Sequence, residues 1–359
     1  MVRTRLRRVP LRFAIVFFVS ASTLEIGFRC CIHDAGSLAG GWSQEYWTLR
    51  YRFSDPKYRD LRPPFDSTLS WVSPIVEPET YRHRHVEQLA GRRPVLLFGD
   101  SFAFCLTGPA HCWQGLMERS ELASEYGLLN YGTGGYGLGQ IYLSFLKAID
   151  LYEGMNPIVI FSLFVDDDMD RANLAFREYS LPRIEVLEDG SLTVAALPIE
   201  DNGEAVAQLP VPFWSYAWRY LVFAQLHWRF PGTFDDQEET YEETRELARH
   251  VFVALKSELE GRGLEHFVVL FHGKSYLEKD VDDWREPFVV RELNRIDLPY
   301  VSSKLWLRED AAKTGRGRDD YYIPSGSRGQ GHYSPLGNEI VFGAIRSGLA
   351  KEFDSPRGE

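Results

Sequence analysis

Five short apolar runs punctuate residues 94–350, and stretches with helical spacing separate them. The runs are Val95-Leu96-Leu97-Phe98, Leu128-Leu129-Asn130-Tyr131, Ile158 to Phe164, His266 to His272 and Leu298 to Val301. Continuous apolar residues of this length, bounded by Pro or Gly, predict strands buried on both faces. Between them, Trp113–Leu122, Gln140–Leu151, Gln237–Glu260 and Trp284–Leu293 predict helices, and a last one runs from about Pro335 to Lys351. Alternating strands and helices predict an α/β domain with a parallel sheet. A different alternation marks Ile184 to Pro198, where Glu188-Asp189-Gly190 signals a hairpin. Residues Phe213 to Phe230 put Trp214, Trp218, Leu221 and Gln225 on one helical stripe, which reads as a core or domain-packing helix rather than a membrane-lying one. Residues of about 180–235 are therefore expected to be an insertion.

The first 30 residues differ from the rest. Arg3, Arg5, Arg7, Arg8 and Arg12 precede a charge-free stretch from Phe13 to Leu24, after which Glu25 interrupts. This is the pattern of an export signal or of a single membrane anchor. Val19-Ser20-Ala21 is a weak cleavage site, so the anchor is the preferred expectation. The positive-inside rule then places the residues after about 30 outside the cytoplasm, facing the periplasm or exterior; cleavage would instead release a secreted chain. Residues 31–90 show little periodicity and read as an extended lead-in. They include Gly40-Gly41-Trp42, Arg62-Pro63-Pro64 and an Arg/His alternation at Tyr81–His85, where His83 and His85 lack a metal-ligand pattern.

Charge and cysteines narrow the function classes. The formal net charge is −11, and because residues 1–30 are basic the remainder carries −16. An acidic body excludes nucleic acid as the expected partner. Hydrophobic content of 44% and charged content of 25% are those of a globular protein. Cys30, Cys31, Cys105 and Cys112 form no zinc pattern. Cys105 and Cys112 either pair in an oxidising compartment or remain separate thiols.

The candidate chemistry stands where the strands end. Gly99-Asp100-Ser101 follows the first strand, and a serine on such a turn projects its hydroxyl at the carboxyl edge of the sheet, where open α/β sheets bind ligands. The plainer alternative is that Asp100 and Ser101 cap the next helix. The second strand runs into Gly132-Thr133-Gly134-Gly135-Tyr136-Gly137-Leu138-Gly139, which lacks the Lys-Ser/Thr ending of a phosphate loop and suits an N–H presented to an oxyanion. The third ends in Val165-Asp166-Asp167-Asp168-Met169-Asp170-Arg171, and the fourth in His272. His332 stands just before the last helix, after a polar, Gly-rich loop from Arg316 to Gly331, and can accept a proton from Ser101.

Taken together, these blocks resemble the SGNH (GDSL-like) hydrolase superfamily over roughly residues 94–350. Gly99-Asp100-Ser101-Phe102 matches the first block, Asn130-Tyr131-Gly132-Thr133-Gly134-Gly135 the second, and His332-Tyr333-Ser334-Pro335-Leu336-Gly337-Asn338 the last. The resemblance implies Ser101 as nucleophile, His332 as base, and an oxyanion hole from Ser101, Gly135 and the position of Asp166. It also implies a flavodoxin-like three-layer sandwich with a parallel sheet of about five strands, spanning residues 91–353, and no cofactor. Two departures stand out. The family's third-block amide is replaced by Asp166-Asp167, and the acid two or three residues before the histidine is replaced by Gln330 and Gly329. Asp100, Asp167 and Gln330 are then the expected supporting residues. The basic and apolar amino terminus resembles the membrane-anchored bacterial branch, some members of which acetylate exopolysaccharides. The expected function is a serine ester hydrolase or O-acyltransferase on an esterified glycan or lipid. The alternatives are a degenerate domain that binds a glycan or protein partner, and a metal-dependent hydrolase using Asp166 to Asp170 with His272.

Overall fold

The computed structural model describes residues 8–40, 43–56, 63–72, 86–209, 211, 213–226, 237–278, 283–327 and 329–351. Two compact units divide the chain. One comprises Met1–Arg62, Leu174–Ser180 and Ile199–Thr240; the other comprises Pro63–Asn173, Leu181–Pro198 and Tyr241–Glu359.

The larger unit is built on a five-stranded sheet of β1 (Arg93–Phe98), β2 (Tyr126–Asn130), β3 (Ile158–Phe164), β4 (Glu265–Phe271) and β5 (Tyr300–Ser302). All neighbours are parallel, in the order β2-β1-β3-β4-β5. This is the flavodoxin-like order expected from the sequence, and its strand order reverses beside β1. Leu96 pairs with Leu129 on one side and Val159 on the other, so β1 is central at the point of reversal. Both faces of the sheet are covered. Val95, Leu97, Ile158, Ile160, Val269 and Phe271 pack on one face with Trp113, Met117, Val341 and Ile345. Phe98, on the other face, packs edge-to-face with Phe145. Alternate residues along each strand thus enter different layers, which is why the runs read as continuously apolar.

The helices in chain order are α1 (Ser101–Phe104), α2 (Trp113–Glu118), α3 (Leu138–Ile149), α4 (Asp168–Ala172), α5 (Gln237–Gly261), α6 (Ser275–Glu278), α7 (Arg285–Arg295), α8 (Ser303–Thr314) and α9 (Pro335–Leu349). Helix α8 has no counterpart among the sequence expectations. It buries little beyond Ser303 and Leu307, so its sequence carries no apolar stripe. The hairpin expected near residues 184–198 is present, with Arg183–Val186 antiparallel to Leu192–Ala196. A second small hairpin pairs Phe65 with Trp71.

The smaller unit contains helices Arg8–Cys31, Gln44–Phe53, Asn202–Gln208 and Tyr216–Tyr220. Its core holds Ala35, Leu38, Ala39 and Leu49, with Phe213, Tyr216 and Tyr220 against them. Two expectations are corrected here. The stretch 31–90 is not extended throughout: Ser43 caps Gln44–Phe53, which buries Trp47 and Leu49. The aromatic stripe is not a core face either. Trp214 is 75% exposed and Trp218 52% exposed, while Tyr216 and Tyr220 turn inward. Two positions apart is about 200° around a helix, so with Tyr216 and Tyr220 turned in, Trp218 points out; Trp214 precedes the helix. Gly41, Trp42, Arg62, Tyr81 to His85, the Gln225 side chain and residues 227–230 lie outside the described residues.

Close backbone approach at Gly132 tests this packing. A Cβ there would lie 2.3 Å from the Phe104 nitrogen and 2.5 Å from the Ala103 carbonyl carbon, atoms that cannot move aside. Gly132→Ala is expected to destabilise the protein by about 3 kcal/mol or more, read as a lower urea midpoint with an unchanged slope. An unchanged midpoint would show that β2 and α1 are not packed this tightly.

Candidate active site

β1 ends at Phe98, and the chain must then pass β3 at close range. A Cβ on Gly99 would sit 1.8 Å from Ser162 Oγ, so only glycine fits. Asp100 caps the short helix α1 by accepting the Phe102 N–H at 2.9 Å. Ser101 therefore stands at the first position of α1, at the carboxyl edge of the sheet. The capping reading and the functional one hold at once.

His332 comes from the loop between α8 and α9, and its Nε2 lies 2.8 Å from Ser101 Oγ. Its Nδ1 lies 3.1 Å from the Gly329 carbonyl. A carbonyl can only accept, so Nδ1 carries the proton and Nε2 is left as the acceptor for the serine hydroxyl. That is the tautomer a general base needs. The loop is held by Ile323 N–H to the His332 carbonyl at 2.8 Å and by Gly331 N–H to the Ile323 carbonyl at 3.1 Å. The imidazole rests on the Phe102 ring, centroids 4.8 Å apart, and Phe102 in turn stacks on Phe164 at 4.2 Å.

The partner of His332 Nδ1 is the Gly329 carbonyl, a backbone group. Gln330 is not that partner: its side-chain oxygen accepts the Gly326 N–H at 2.7 Å, on an exposed turn. The expected support from Gln330 is therefore corrected to the backbone one residue earlier. Asp100 does reach Ser101, its Oδ2 accepting from Ser101 Oγ at 3.1 Å.

The glycine loop lies alongside. A Cβ on Gly134 would come within 3.9 Å of Ser101 Cβ, and Gly135 follows it in the chain. Trp71, from the Phe65–Trp71 hairpin, donates its indole N–H to the Gly134 carbonyl at 3.2 Å. Asn130 is spent on structure: its amide donates to the Ala103 carbonyl at 2.7 Å and accepts the Gly132 N–H at 2.7 Å.

The aspartate run after β3 divides among cations rather than forming a metal site. Arg171 Nη1 is 3.0 Å from Asp168 and 3.6 Å from Asp100, and donates to the Tyr136 carbonyl at 3.1 Å. Asp167 pairs with the other nitrogen of Arg171. Asp170 pairs with Arg285 at 2.6 Å. Burial and the charge of Asp100 push the Asp168 carboxyl well above its ordinary value, with Arg171 opposing them. Asp167 reaches the site through its ion pair with Arg171. His272 is occupied as well. Burial holds it below its ordinary value, so the neutral ring donates from Nε2 to Glu286 and accepts at Nδ1 from Ser303, both at 3.1 Å. Tyr333, next to His332, closes this network by donating to Ser303 Oγ at 2.7 Å. Among the described residues no group of three metal-ligating side chains gathers.

Arg171, Trp71 and Tyr333 escaped the sequence reading as site residues. Only Arg171 had a signal, its spacing of three and four from Asp168 and Asp167 on a helical turn. Cys105, directly after α1, is disulfide-bonded to Cys112 with Cα atoms 5.7 Å apart. Asn338 of α9 donates to Thr107 within that loop at 2.9 Å.

No protein-family model matches the chain, and no curated protein matches it either. Among solved structures, the chain is similar to the acetyl xylan esterase AlAXEase, with 14% identity over 71% of this chain and 99% of that one and a TM-score of 0.39. It is also similar to a putative lipolytic protein of the G-D-S-L family from Desulfitobacterium hafniense, with 12% identity, 72% and 100% coverage and a TM-score of 0.39. A third is an acetylxylan esterase from Geobacillus stearothermophilus, with 12% identity, 74% and 97% coverage and a TM-score of 0.39. Likeness at this level carries no chemistry to the present chain, and the site stands on its own geometry.

Asp166 faces Tyr276 and Asp283, and a Cβ on Gly273 would sit 2.2 Å from its carboxylate. No hydrogen bond among the described residues joins it to Ser101 or His332. Burial, then the charges of Asp167 and Asp283, raise its pKa from 3.8 to about 7 against the pull of Arg285 and Tyr276. Between about pH 4 and 7 the unfolded chain loses this proton while the folded chain keeps it, so stability falls as pH rises through that window. The interval is worth at most about 4 kcal/mol. Asp166→Asn is expected to flatten this fall and to raise stability at pH 8 while leaving pH 4 nearly unchanged. Urea midpoints at the two pH values measure it, and parallel curves for both proteins would refute the assignment.

Proposed function

We propose that this protein is an SGNH-type serine ester hydrolase or O-acyltransferase, acting on an esterified glycan or lipid outside the cytoplasm. One observation carries the reading: Ser101 Oγ, on the turn after the central strand, lies 2.8 Å from a histidine nitrogen whose tautomer is set by Gly329. In this reading Ser101 Oγ attacks the ester carbonyl carbon while His332 Nε2 takes its proton. The oxyanion is held by N–H groups of Ser101 and Gly135. His332 returns the proton to the leaving alcohol, and an acyl-serine remains. Water or a sugar hydroxyl then attacks the acyl carbon, giving up its proton to His332 and restoring the serine. Asp166 in its protonated form, at the position of the family's amide, is a further donor in this proposal only below about pH 7.

The amino-terminal helix supports the location. Phe13–Cys31 is long and apolar enough to cross a bilayer, and arginines precede it. Cleavage at Val19-Ser20-Ala21 would cut this segment near its middle and give a secreted form.

The decisive experiment is labelling of the purified full chain by a fluorophosphonate, with the adduct mapped by mass spectrometry. Labelling at Ser101 that disappears in His332→Ala is expected, together with loss of p-nitrophenyl acetate turnover by about 10⁴-fold or more in Ser101→Ala. Gln330→Ala is expected to leave turnover nearly unchanged, because its side chain faces away from His332. A folded wild-type protein that takes no label would leave the degenerate, glycan- or protein-binding reading in its place.

A further inference from the structure

We infer that the segment carrying Trp214, Trp218 and Leu221 is a second membrane contact, seated in the outer interfacial layer of a lipid bilayer. The inference rests on the anchor reading above and adds a surface to it.

The argument begins with length. From Phe13 to Leu24 the amino-terminal helix is free of charge, and these residues rise only about 18 Å at 1.5 Å each. The hydrocarbon core of a bilayer is about 30 Å thick. The span must therefore continue past Glu25 toward Cys31, which leaves the Glu25 carboxylate in the outer half of the apolar layer, about 9 Å short of Cys31 along the helix. An acidic group is tolerated there only when paired. Glu25 accepts the N–H groups of Tyr216 at 2.9 Å and Ala217 at 3.0 Å, the Ser215 hydroxyl at 3.0 Å, and the Arg29 guanidinium at 2.7 Å. Its four donors fasten the start of helix Tyr216–Tyr220 to the span at that level.

The fastened segment is two-faced. Tyr216 and Tyr220 turn to the core of the small unit, and the Tyr220 ring meets Phe28 at 5.1 Å. Trp214, Trp218 and Leu221 are 75%, 52% and 44% exposed. Tryptophan prefers the bilayer interface, where its ring is apolar and its N–H stays hydrated. The span is itself apolar and exposed, with Phe17 and Phe18 each 68% exposed. An apolar groove of about 730 Å³, lined by Val19, Thr23, Leu24, Phe28 and Tyr220, runs between the same two elements. Arg29 stacks over Tyr216 at 4.6 Å and presents a cation at headgroup height. The occupant that fits this combined surface is lipid.

The test uses the full chain reconstituted into phosphatidylcholine vesicles, with and without lipid brominated at the 6,7 acyl positions, which quenches tryptophan on contact. Wild type is expected to float with the vesicles and to be quenched. The double variant Trp214→Phe/Trp218→Phe is expected to float equally and to lose at least half of the quenching. Glu25→Ala, which releases the segment but keeps both tryptophans, is expected to float and lose quenching too. Equal quenching in wild type and the double variant would overturn the inference and leave the anchor intact. A wild-type chain that does not float would overturn the anchor reading, and this inference with it.

Discussion

One buried guanidinium, that of Arg171, holds the ends of three strands together. Asp100 follows β1, Tyr136 lies in the loop after β2, and Asp167 and Asp168 follow β3; all four offer it an oxygen. Taking such a cation out of water costs several kcal/mol and is offset only when its N–H groups find acceptors. The dependence runs the other way as well. Three carboxylates could not share this space without a cation between them, and Asp168 is already pushed toward its neutral form. The loops after β1, β2 and β3 are therefore positioned as a set. Ser101 and the glycine loop inherit their places from that set, the first through Asp100 and the second through the Tyr136 carbonyl.

Against this rigid edge, the histidine is held more lightly. A carboxylate behind a catalytic imidazole does two things: it selects the tautomer, and it stabilises the cation that forms. The Gly329 carbonyl selects the tautomer as firmly as an acid would. It stabilises the cation only through a bond dipole. The face of Phe102 adds the negative side of its ring quadrupole, at a centroid distance of 4.8 Å. The proposed mechanism is that of a dyad with two weak supports in place of one strong one. Its demand on the oxyanion donors is correspondingly larger, since they must supply what the acid does not.

The five strands were legible because β1 to β4 are buried on both faces, so each stretch is apolar without interruption. Helix α8 was not legible because its few core positions, Leu307, Trp306 and Ala311, are set among charged residues. Ser101 and His332 stand 231 positions apart, and no local pattern links them; their pairing was legible through the resemblance of the blocks around each. The change from Gln330 to Gly329 could not be read at all, because a backbone carbonyl is present at every position and only the turn decides where it points. The small unit was illegible for a related reason. Its described core joins residues 32–53 to residues 213–220, and the helical stripe legible in the second stretch is its exposed face.

Glu25 shows how far a local reading of charge can mislead. In the sequence it interrupts an apolar segment and weakens it as a span. In the structure it satisfies N–H and hydroxyl groups about 190 positions away, at the first turn of a helix whose own backbone cannot satisfy them. Removal of residues 1–30 would leave those donors without their carboxylate, and would take Phe28 from the Tyr220 ring. The amino-terminal helix is thus bonded into the small unit as well as being apolar along its length. The hydrogen bonding of Glu25 therefore ties the carboxyl-terminal part of this helix to the small unit, and gives an acidic residue within an apolar segment a structural reason to be there.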